Sequence, residues 1–427
     1  MSNQIFDLLT ADVPRGWRQV SIGDVLREVS EPIEMRDAQL YKLVSIRRRN
    51  GGMFLRDQLY GRQILTKDLQ RVIPESFVIA RRQIIHGASA LAADEFSDAA
   101  VSSSYSLFLG REDCDIRFFA WLACHPSMYT YFLNASHGIV IEKMNFDKDR
   151  WLSYPINLPP LHEQRRISEI LDTIDEAIRS TERFAAKLEQ IKQGLLHDLL
   201  TRGIDESGHP RENRKQFKRS RIGLIPRTWD LATLDEISHG RGRYGSQAAA
   251  IPFDPDLPRY VRITDITSDG SLRRDSRAGI TESDAQPHML EEGDLCFART
   301  GATVGKTYLY SGQDGPCAFA GYVIRFAIDS SRANPAFVSL WTQGRFYAQW
   351  VAGILQQGAQ PNINARSYGK HELPIPPRAE QDAIVHRANT FLNAAAAEKR
   401  KIVKLRHLKR GLMDDLLIGR VRVGVAE

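Results

Sequence analysis

Two parts of the sequence are rich in side chains that can read the edges of nucleic-acid bases. Arginine, glutamine and asparagine can make two hydrogen bonds to one base, and lysine offers a compact charge to a phosphate. Candidates in the first half of the chain are Arg47, Arg48, Arg49, Arg81, Arg82, Gln83, His86, Lys143 and Asn145. Candidates in the second half are Arg241, Arg243, Tyr244, Arg299, Thr300, Lys306, Gln360, Asn362, Asn364 and Arg366. Any one of them alone is more often a solvated surface charge, so their weight comes from matching positions in two repeats.

Motifs that usually carry catalysis are missing from the sequence. It contains no GxSxG or HExxH pattern and no D/N-P-P-Y/F signature of an amino-methyltransferase. The loop GATVGKT at 301–307 is one residue short of a P-loop, although its glycines and Lys306 could contact a DNA phosphate. His162 has Ala379 at the matching place of the repeat, which argues against a shared catalytic role. We therefore predict no catalytic residue in this chain.

Composition predicts a cytoplasmic protein of more than one domain. A chain of 427 residues is long enough for two or more cores, and no apolar run approaches the length of a bilayer span. The first residues lack the pattern of an export signal. Four cysteines are scattered without a CxxC pair, which indicates reduced thiols and no structural zinc. The net charge of +6 is compatible with nucleic acid but does not require it.

The elements that must position these side chains are repeated. Residues 158–204 align without a gap with residues 375–421, and 16 of the 47 aligned positions are identical. Each copy opens with a proline pair followed by Glu-Gln, a suitable start for a helix, and about forty residues without proline follow. The repeat also extends upstream, because Pro14-Arg15-Gly16-Trp17 returns as Pro226-Arg227-Thr228-Trp229. The sequence therefore predicts an internal duplication with two long helices.

Both long helices carry a heptad stripe of apolar residues. The predicted pairing positions are Ile167, Leu171, Ile174, Ile178, Leu188, Leu195, Leu199, Ile384, Phe391, Ile402, Leu405, Leu412 and Leu416. Polar interruptions recur at matching places, including Lys192 and Lys409. Such a stripe over five heptads predicts a coiled coil, and one chain that folds back would pair its helices antiparallel. The alternative is that each helix packs only on its own domain.

The segments before the helices predict mixed α/β or α+β domains. YKLVSI (41–46), SFVIARR (76–82) and RYVRITDI (259–266) have the composition of strands, whereas 116–135 and 336–353 have helical spacing. Pro126 should break or kink the first of these helices. The predicted boundaries are 1–157 and 225–374 for the domains, 158–204 and 375–421 for the helices, and 205–224 for a linker. The linker is polar and basic, so we expect it to be exposed and loosely ordered.

With these motifs in place, the sequence resembles the specificity (S) subunit of a type I restriction–modification system. The resemblance covers the whole chain and rests on PPLHEQRRISEILDTID (159–175), PPRAEQDAIV (376–385), KQGLLHDLLTRGI and KRGLMDDLLIGRV. In the second copy Arg378-Ala379 replaces the usual Leu-His. The P-R-x-W starts and GDLCFARTGATVGK are also typical of the target recognition domains of this family.

The resemblance implies an α+β fold with pseudo-twofold duplication. Two globular target recognition domains would be separated by a long antiparallel two-helix coiled coil. Each domain would read one half of a split double-stranded DNA site. The helices would dock two methyltransferase (modification) subunits, which hold S-adenosylmethionine and flip the target adenine. Restriction subunits would add translocation and cleavage that require ATP and magnesium.

Two other interpretations remain open on the sequence. The chain could be a coiled-coil scaffold whose variable domains bind protein or carbohydrate, or the recognition part of a nuclease with its own activity. DNA affinity that falls with rising salt would favour a DNA-reading specificity subunit over the scaffold. An assay of the purified chain for methylation and cleavage would test the nuclease.

Overall fold

The computed structural model describes residues 13–138, 144–356 and 361–424. The chain divides into two compact units. The first unit comprises Met1–Glu182 and Arg400–Glu427, and the second comprises Arg183–Lys399. Each unit therefore combines one domain with a part of both long helices.

Within its described residues, the first unit is built on two four-stranded sheets. Its strands are β1 Arg18–Ser21, β2 Leu26–Val29, β3 Leu40–Ile46, β4 Met53–Tyr60, β5 Leu69–Arg71, β6 Phe77–Ala80, β7 Ser89–Leu91, β8 Ala99–Ser102, β9 Tyr105–Gly110, β10 Ser136–His137, β11 Asn145–Phe146 and β12 Pro155–Leu158. The sheet orders are β2-β9-β6-β7 and β4-β3-β8-β5. Strand β1 pairs antiparallel with β12, so the start of the domain is hydrogen-bonded to its end.

An aromatic core joins the sheets of the first unit to its helices. The helices are α1 Ile22–Val25, α2 Ile116–Ala123, α3 Pro126–Asn134 and α4 Lys148–Leu152, and the long helix α5 runs over Leu161–Thr201. Trp151 on α4 is fully buried. Its ring lies 5.6 Å from the rings of Phe108 and Phe132 and 6.0 Å from that of Phe119. Rings of this size dominate the apolar area that a core removes from water.

The second unit repeats this plan with shorter strands. They are β13 Phe217–Ser220, β14 Gly223–Pro226, β15 Asp230–Thr233, β16 Arg243–Tyr244, β17 Ile251–Pro252, β18 Arg259–Val261, β19 Ala278–Gly279, β20 Asp294–Ala298, β21 Thr307–Leu309, β22 Cys317–Phe319, β23 Val323–Ala327 and β24 Glu372–Ile375. The sheet orders are β16-β23-β20-β21 and β17-β19-β18-β22. Strand β15 pairs antiparallel with β24, as β1 does with β12. The α+β fold and the duplication predicted from the sequence are thereby confirmed.

Helices occupy matching places in the second unit. They are α6 Glu282–Ala285, α7 Pro335–Trp341, α8 Arg345–Leu355 and α9 Ala365–Gly369, and the long helix α10 runs over Arg378–Leu416. Tyr368 on α9 is fully buried and stands where Trp151 stands on α4. Its ring lies 4.7 Å from that of Phe297, which packs in turn on Phe326 at 5.5 Å. The two cores therefore share a plan but differ in their residues.

Three segments with predicted secondary structure are divided or shorter in the structure. The helix expected over 116–135 is divided at Pro126, as that residue predicts, and α3 begins there with His125 as its cap. The helix expected over 336–353 is also two helices, α7 and α8. The strand expected over 259–266 ends at Val261, because Arg262 and Asp265 then form a paired turn instead of continuing the ladder.

The connection at 205–224 contradicts our expectation of a loosely ordered linker. Strands β13 and β14 form a hairpin, with Phe217 opposite Pro226 and Ser220 opposite Gly223. Upstream of the hairpin, the side chain of Arg211 is only 12% exposed and makes an ion pair with Glu380 at the start of α10. The polar composition was misleading because this segment uses its charge to bind a buried carboxylate.

The long helices pair antiparallel in both units. In the first unit Asp175 pairs with Lys409, and Glu182 pairs with Arg406 at 2.6 Å. In the second unit Glu189 pairs with Lys399 at 3.2 Å. Residue numbers rise along α5 as they fall along α10, which defines the antiparallel arrangement and confirms this part of the predicted fold.

The predicted stripe is the face that the helices bury. Every one of its pairing positions is buried or half-buried, and Ile167, Leu171, Leu199 and Ile384 are inaccessible to solvent. The interruption at Lys409 lies over the Trp121 ring of the first unit, 4.5 Å from its centroid. No helix in the described part of the chain is long and apolar enough to cross a membrane.

A buried histidine in the second unit predicts sensitivity to acid. Trp341 Nε1 donates to His371 Nε2 over 3.2 Å, which requires a neutral imidazole, and burial lowers the pKa of His371 from 6.5 to about 4. Because the unfolded chain takes up this proton first, the second unit should lose up to about 3 kcal/mol as the pH falls from about 6.5 to about 4. Urea denaturation across this range should show most of that loss removed by His371→Gln, which keeps an acceptor. The exposed control His386→Gln should retain the full loss, and an unchanged loss in His371→Gln would contradict the assignment.

Candidate nucleic-acid interface and helix junctions

The Glu-Gln pair at the start of α5 joins this helix to the first domain. Gln164 Nε2 donates to the carbonyl oxygens of Pro159 and Asp113, both at 2.9 Å, and its Oε1 accepts from Asp115 N–H at 2.8 Å. Glu163 is buried and accepts from Trp17 Nε1 at 3.1 Å. Arg422 Nε and Nη2 donate hydrogen bonds of 2.7 and 2.6 Å to the two oxygens of the same carboxylate. We call this group of contacts the first helix junction.

The second helix junction repeats the glutamine and glutamate–arginine contacts at the start of α10, whereas Trp229 Nε1 makes no hydrogen bond within the described ranges to match that of Trp17. Gln381 Nε2 donates to Pro376 O at 2.8 Å, and its Oε1 accepts from Asn334 N–H at 2.7 Å. Asp115 and Asn334 cap α2 and α7, so each glutamine fixes the start of a domain helix. The Glu380 carboxylate accepts hydrogen bonds from both Nη atoms of Arg211 and from the backbone N–H of Ile204, the last at 3.0 Å.

A glycine follows each long helix and lies against the tryptophan that opens a domain. Gly203 has φ +59° and Gly419 has φ +73°, conformations that favour glycine. A Cβ on Gly203 would lie 2.5 Å from the Trp229 ring, and one on Gly419 would lie 3.2 Å from the Trp17 ring. A larger residue would therefore be both strained and obstructed at either position.

The two junctions exchange their arginines. Arg422 follows α10 but binds the glutamate that begins α5, whereas Arg211 follows α5 but binds the glutamate that begins α10. The sequence analysis treated these glutamates only as part of a suitable start for a helix. The sequence did contain a signal for these contacts, because Glu-Gln occurs at the start of both long helices. In the structure, all four side chains are almost completely removed from solvent.

Four candidate residues of the first unit are brought together around a tight turn. Arg49 and Asn50 have φ of 59° and 54°, and their N–H groups donate to His86 O at 2.7 Å and Gly87 O at 2.8 Å. Arg48 Nε donates to Gln83 Oε1 at 2.7 Å. These arginines line the mouth of a cleft of about 420 Å³. The arrangement presents paired donors at the surface, as base reading requires.

The other candidates of the first unit have different surroundings. Arg81 is half-buried, and its guanidinium donates to the carbonyl oxygens of Ser103 and Ser104. In this structure its guanidinium therefore holds that loop, and its role as a base reader stays a prediction. Arg47 lies over the Phe54 ring at 4.4 Å. Two further candidates, Arg82 and Asn145, are exposed, while Lys143 lies outside the described residues.

In the second unit, candidates converge at the end of β20. The guanidinium of Arg299 lies over the Tyr244 ring at 4.8 Å, and its Nε is 3.4 Å from Asn362 Oδ1. Thr300 Oγ1 donates to Pro361 O at 3.1 Å. We call Tyr244, Arg299 and Asn362 the arginine platform. It joins three segments that are widely separated in the sequence.

Two of the remaining candidates make hydrogen bonds within their own unit. Asn364 is the cap of α9 and its Oδ1 accepts from Ser367 N–H at 2.9 Å, while its role as a base reader stays a prediction. Lys306 is half-buried, and its Nζ lies 3.5 Å from the carbonyl oxygen of Ile266. Arg241, Arg243 and Arg366 are exposed, and Gln360 lies outside the described residues. No carboxylate in the described ranges lies within 4.0 Å of these three arginines or of Arg299.

Comparison with known proteins agrees with this architecture. A sequence model of the type I restriction modification DNA specificity domain matches residues 14–190. The MjaVIII specificity subunit of Methanocaldococcus jannaschii is 22% identical over 426 residues, covering 96% of this chain and 94% of the relative. The EcoDI specificity subunit of Escherichia coli is 23% identical over 57% of this chain and 56% of its own.

Solved structures share the fold at low identity. The S subunit of a type I restriction–modification system from M. genitalium matches with a TM-score of 0.60 at 12% identity, covering 96% of this chain and 97% of that one. A chain from a study of type I complex assembly and conformational transition matches with a TM-score of 0.52 at 17% identity, covering 96% and 100%.

The repeated units and paired helices define an internally duplicated recognition subunit. Residues 14–190 match the type I restriction modification DNA specificity domain, and the whole chain is similar to type I restriction–modification specificity subunits, in agreement with the resemblance seen in the sequence. Its family role is to recognise the DNA sequence on which the complex acts.

Proposed function

We propose that this chain reads a bipartite DNA site, with one half-site contacted by each unit. The observation that carries the proposal is the duplication of the whole plan, from the β1–β12 and β15–β24 pairs to the exchanged arginines of the helix junctions. Two similar units with different surface residues suit two half-sites of different sequence. Linked readers also gain affinity, because the second binds from an already tethered state.

The partners follow from the same duplication. Two similar helix surfaces suit two copies of one partner, so we propose that two methyltransferase subunits dock on the paired helices, with restriction subunits added to them. S-adenosylmethionine would then lie in the methyltransferase subunits, and ATP and magnesium would act in the restriction subunits. This chain would supply recognition without catalysis, in the cytoplasm where the DNA lies. The exposed arginines of the second unit that have no carboxylate within 4.0 Å in the described ranges favour salt-dependent DNA binding over a role as a protein scaffold.

The decisive experiment is to map methylated adenines in cells that express this chain with its methyltransferase subunits. We expect two short defined half-sites separated by a spacer of undefined sequence. A continuous palindromic site would contradict the proposal, because two unlike readers cannot produce it.

Purified chain provides the control for the other two interpretations. Its affinity for duplex DNA should fall steeply as salt rises, since cationic side chains displace counterions from phosphates. DNA affinity that is absent, or insensitive to salt, would favour the scaffold. Methylation or cleavage by the chain alone would favour a nuclease with its own activity.

A further inference from the structure

The backbone of Arg299 is fixed on two sides at the end of β20. Its N–H donates to Tyr322 O at 3.1 Å, and its carbonyl oxygen accepts from Ile363 N–H at 2.8 Å. The neighbouring pair Thr300 and Asn362 forms an antiparallel bridge. The Cα of Arg299 therefore has a defined position although the residue lies at the surface.

The side chain of Arg299 is oriented by its neighbours in the arginine platform. Tyr244 lies under the guanidinium and is itself held, because its hydroxyl accepts from the N–H of Ala365 at 3.1 Å. Asn362 Oδ1 lies 3.4 Å from Nε. The two Nη atoms make no hydrogen bond to any residue in the ranges 13–138, 144–356 and 361–424. The planar guanidinium of Arg299 is thus held in place, and its two Nη donors have no hydrogen-bond partner among the described residues.

Arg81 in the first unit provides a natural comparison. It also follows alanine at the end of a buried strand, and its N–H donates to Ser104 O at 3.1 Å, just as Arg299 N–H donates to Tyr322 O. Its guanidinium, however, turns onto the carbonyl oxygens of Ser103 and Ser104. The same Ala-Arg sequence therefore gives an arginine bonded to a loop of its own unit at Arg81, and an arginine whose two Nη atoms have no partner among the described residues at Arg299.

The shape of the uncommitted group selects its target. Guanine presents two acceptors, O6 and N7, in the major groove at the spacing of an arginine fork, and this pairing is the commonest specific contact between proteins and DNA. A phosphate needs no such orientation, whereas a stacked guanidinium has already lost the rotamer freedom that base reading would cost. We propose that Arg299 reads a guanine in the half-site of the second unit, with Tyr244 and Asn362 as positioning residues. This inference rests on the proposed function.

The test uses the chain assembled with its methyltransferase subunits and a duplex library with every half-site position randomised. For the Arg299→Lys variant, we expect preference for guanine at one position of one half-site to fall about ten- to a hundred-fold. All positions of the other half-site should keep their preference. Arg81→Lys is the matched control and should change no base preference.

Two variants of the platform separate orientation from folding. Tyr244→Ala keeps Arg299 but removes its support, so discrimination should weaken at the same guanine position. Tyr244→Phe loses the hydroxyl contact with Ala365 but keeps the ring under the guanidinium, so it should retain more of the discrimination than Tyr244→Ala. Because these variants retain the arginine, they test the inference even where an Arg299 variant folds poorly.

The outcomes distinguish this inference from the function on which it rests. A continuous site in the unaltered complex would contradict the proposed function itself. A bipartite site whose base preferences are unchanged in Arg299→Lys would overturn only the role of Arg299. A uniform loss of methylation at all sequences, with a smaller salt dependence of binding, would assign Arg299 to a phosphate and would also overturn it.

Discussion

Replacing Glu380 with alanine is expected to lower the free energy of unfolding of the second unit by about 3–5 kcal/mol. The side chains of Glu380 and Arg211 are only 9% and 12% exposed. Each charged group has therefore lost most of its hydration and is stabilised by the opposite charge of the other. The substitution leaves a buried guanidinium without its counterion and removes the acceptor of Ile204 N–H. Removing one member of a buried pair costs more than the pair contributes, because the remaining charge stays desolvated.

Urea denaturation combined with hydrogen exchange at Ile204 would measure this loss. Glu169→Ala breaks the exposed pair with Arg166 on α5 and should cost less than about 1 kcal/mol. The double substitution Glu380→Leu with Arg211→Met removes both charges, and we expect it to recover most of the stability. A loss in Glu380→Ala no larger than that in Glu169→Ala would show that the second junction does not stabilise the unit.

Local periodicity explains what could be predicted of the fold. The stripe from Ile167 to Leu199 repeats within each few turns of helix, so its buried face is encoded by neighbours in the sequence. The exchange of Arg211 and Arg422 between junctions is different. Each arginine finds its glutamate across 169 or 259 residues of chain, and no local pattern encodes that distance. For the same reason Arg211 was assigned to a loose linker.

The candidate interface was predictable as a set of residue types but not as a site. Arg299 and Tyr244 were both candidates, yet their stacking depends on strands that meet only in the folded sheet. Conversely, Arg81 and Asn364 looked equivalent to the other candidates. The carbonyl oxygen of Ser103 and the amide of Ser367 engage them instead, and neither partner is distinguished by its residue type. The DNA contacts of all the candidates stay predictions, and Lys143 and Gln360 also lie outside the described residues.

A seven-residue insertion in both long helices is expected to lengthen the DNA spacer and leave both half-sites unchanged. Suitable positions are between Glu182 and Arg183 in α5 and between Lys399 and Arg400 in α10, where the chain passes from one unit to the other. One heptad keeps the apolar stripe of each helix in phase with its partner. Seven helical residues add about 10 Å along a helix axis, which corresponds to about three base pairs.

The measurement is methylation of a duplex library in which the two half-sites are separated by spacers of every length. The preferred spacer should increase by about three base pairs, adjusted by the twist of DNA, because both half-sites must face their readers. Insertion in α5 alone is the control, since it moves one stripe past the other and should abolish methylation at every spacer. If the double insertion kept the original spacer, the helices would not set the distance between half-sites. If it changed the bases of a half-site, reading and spacing would not be separate properties of the domains and the helices.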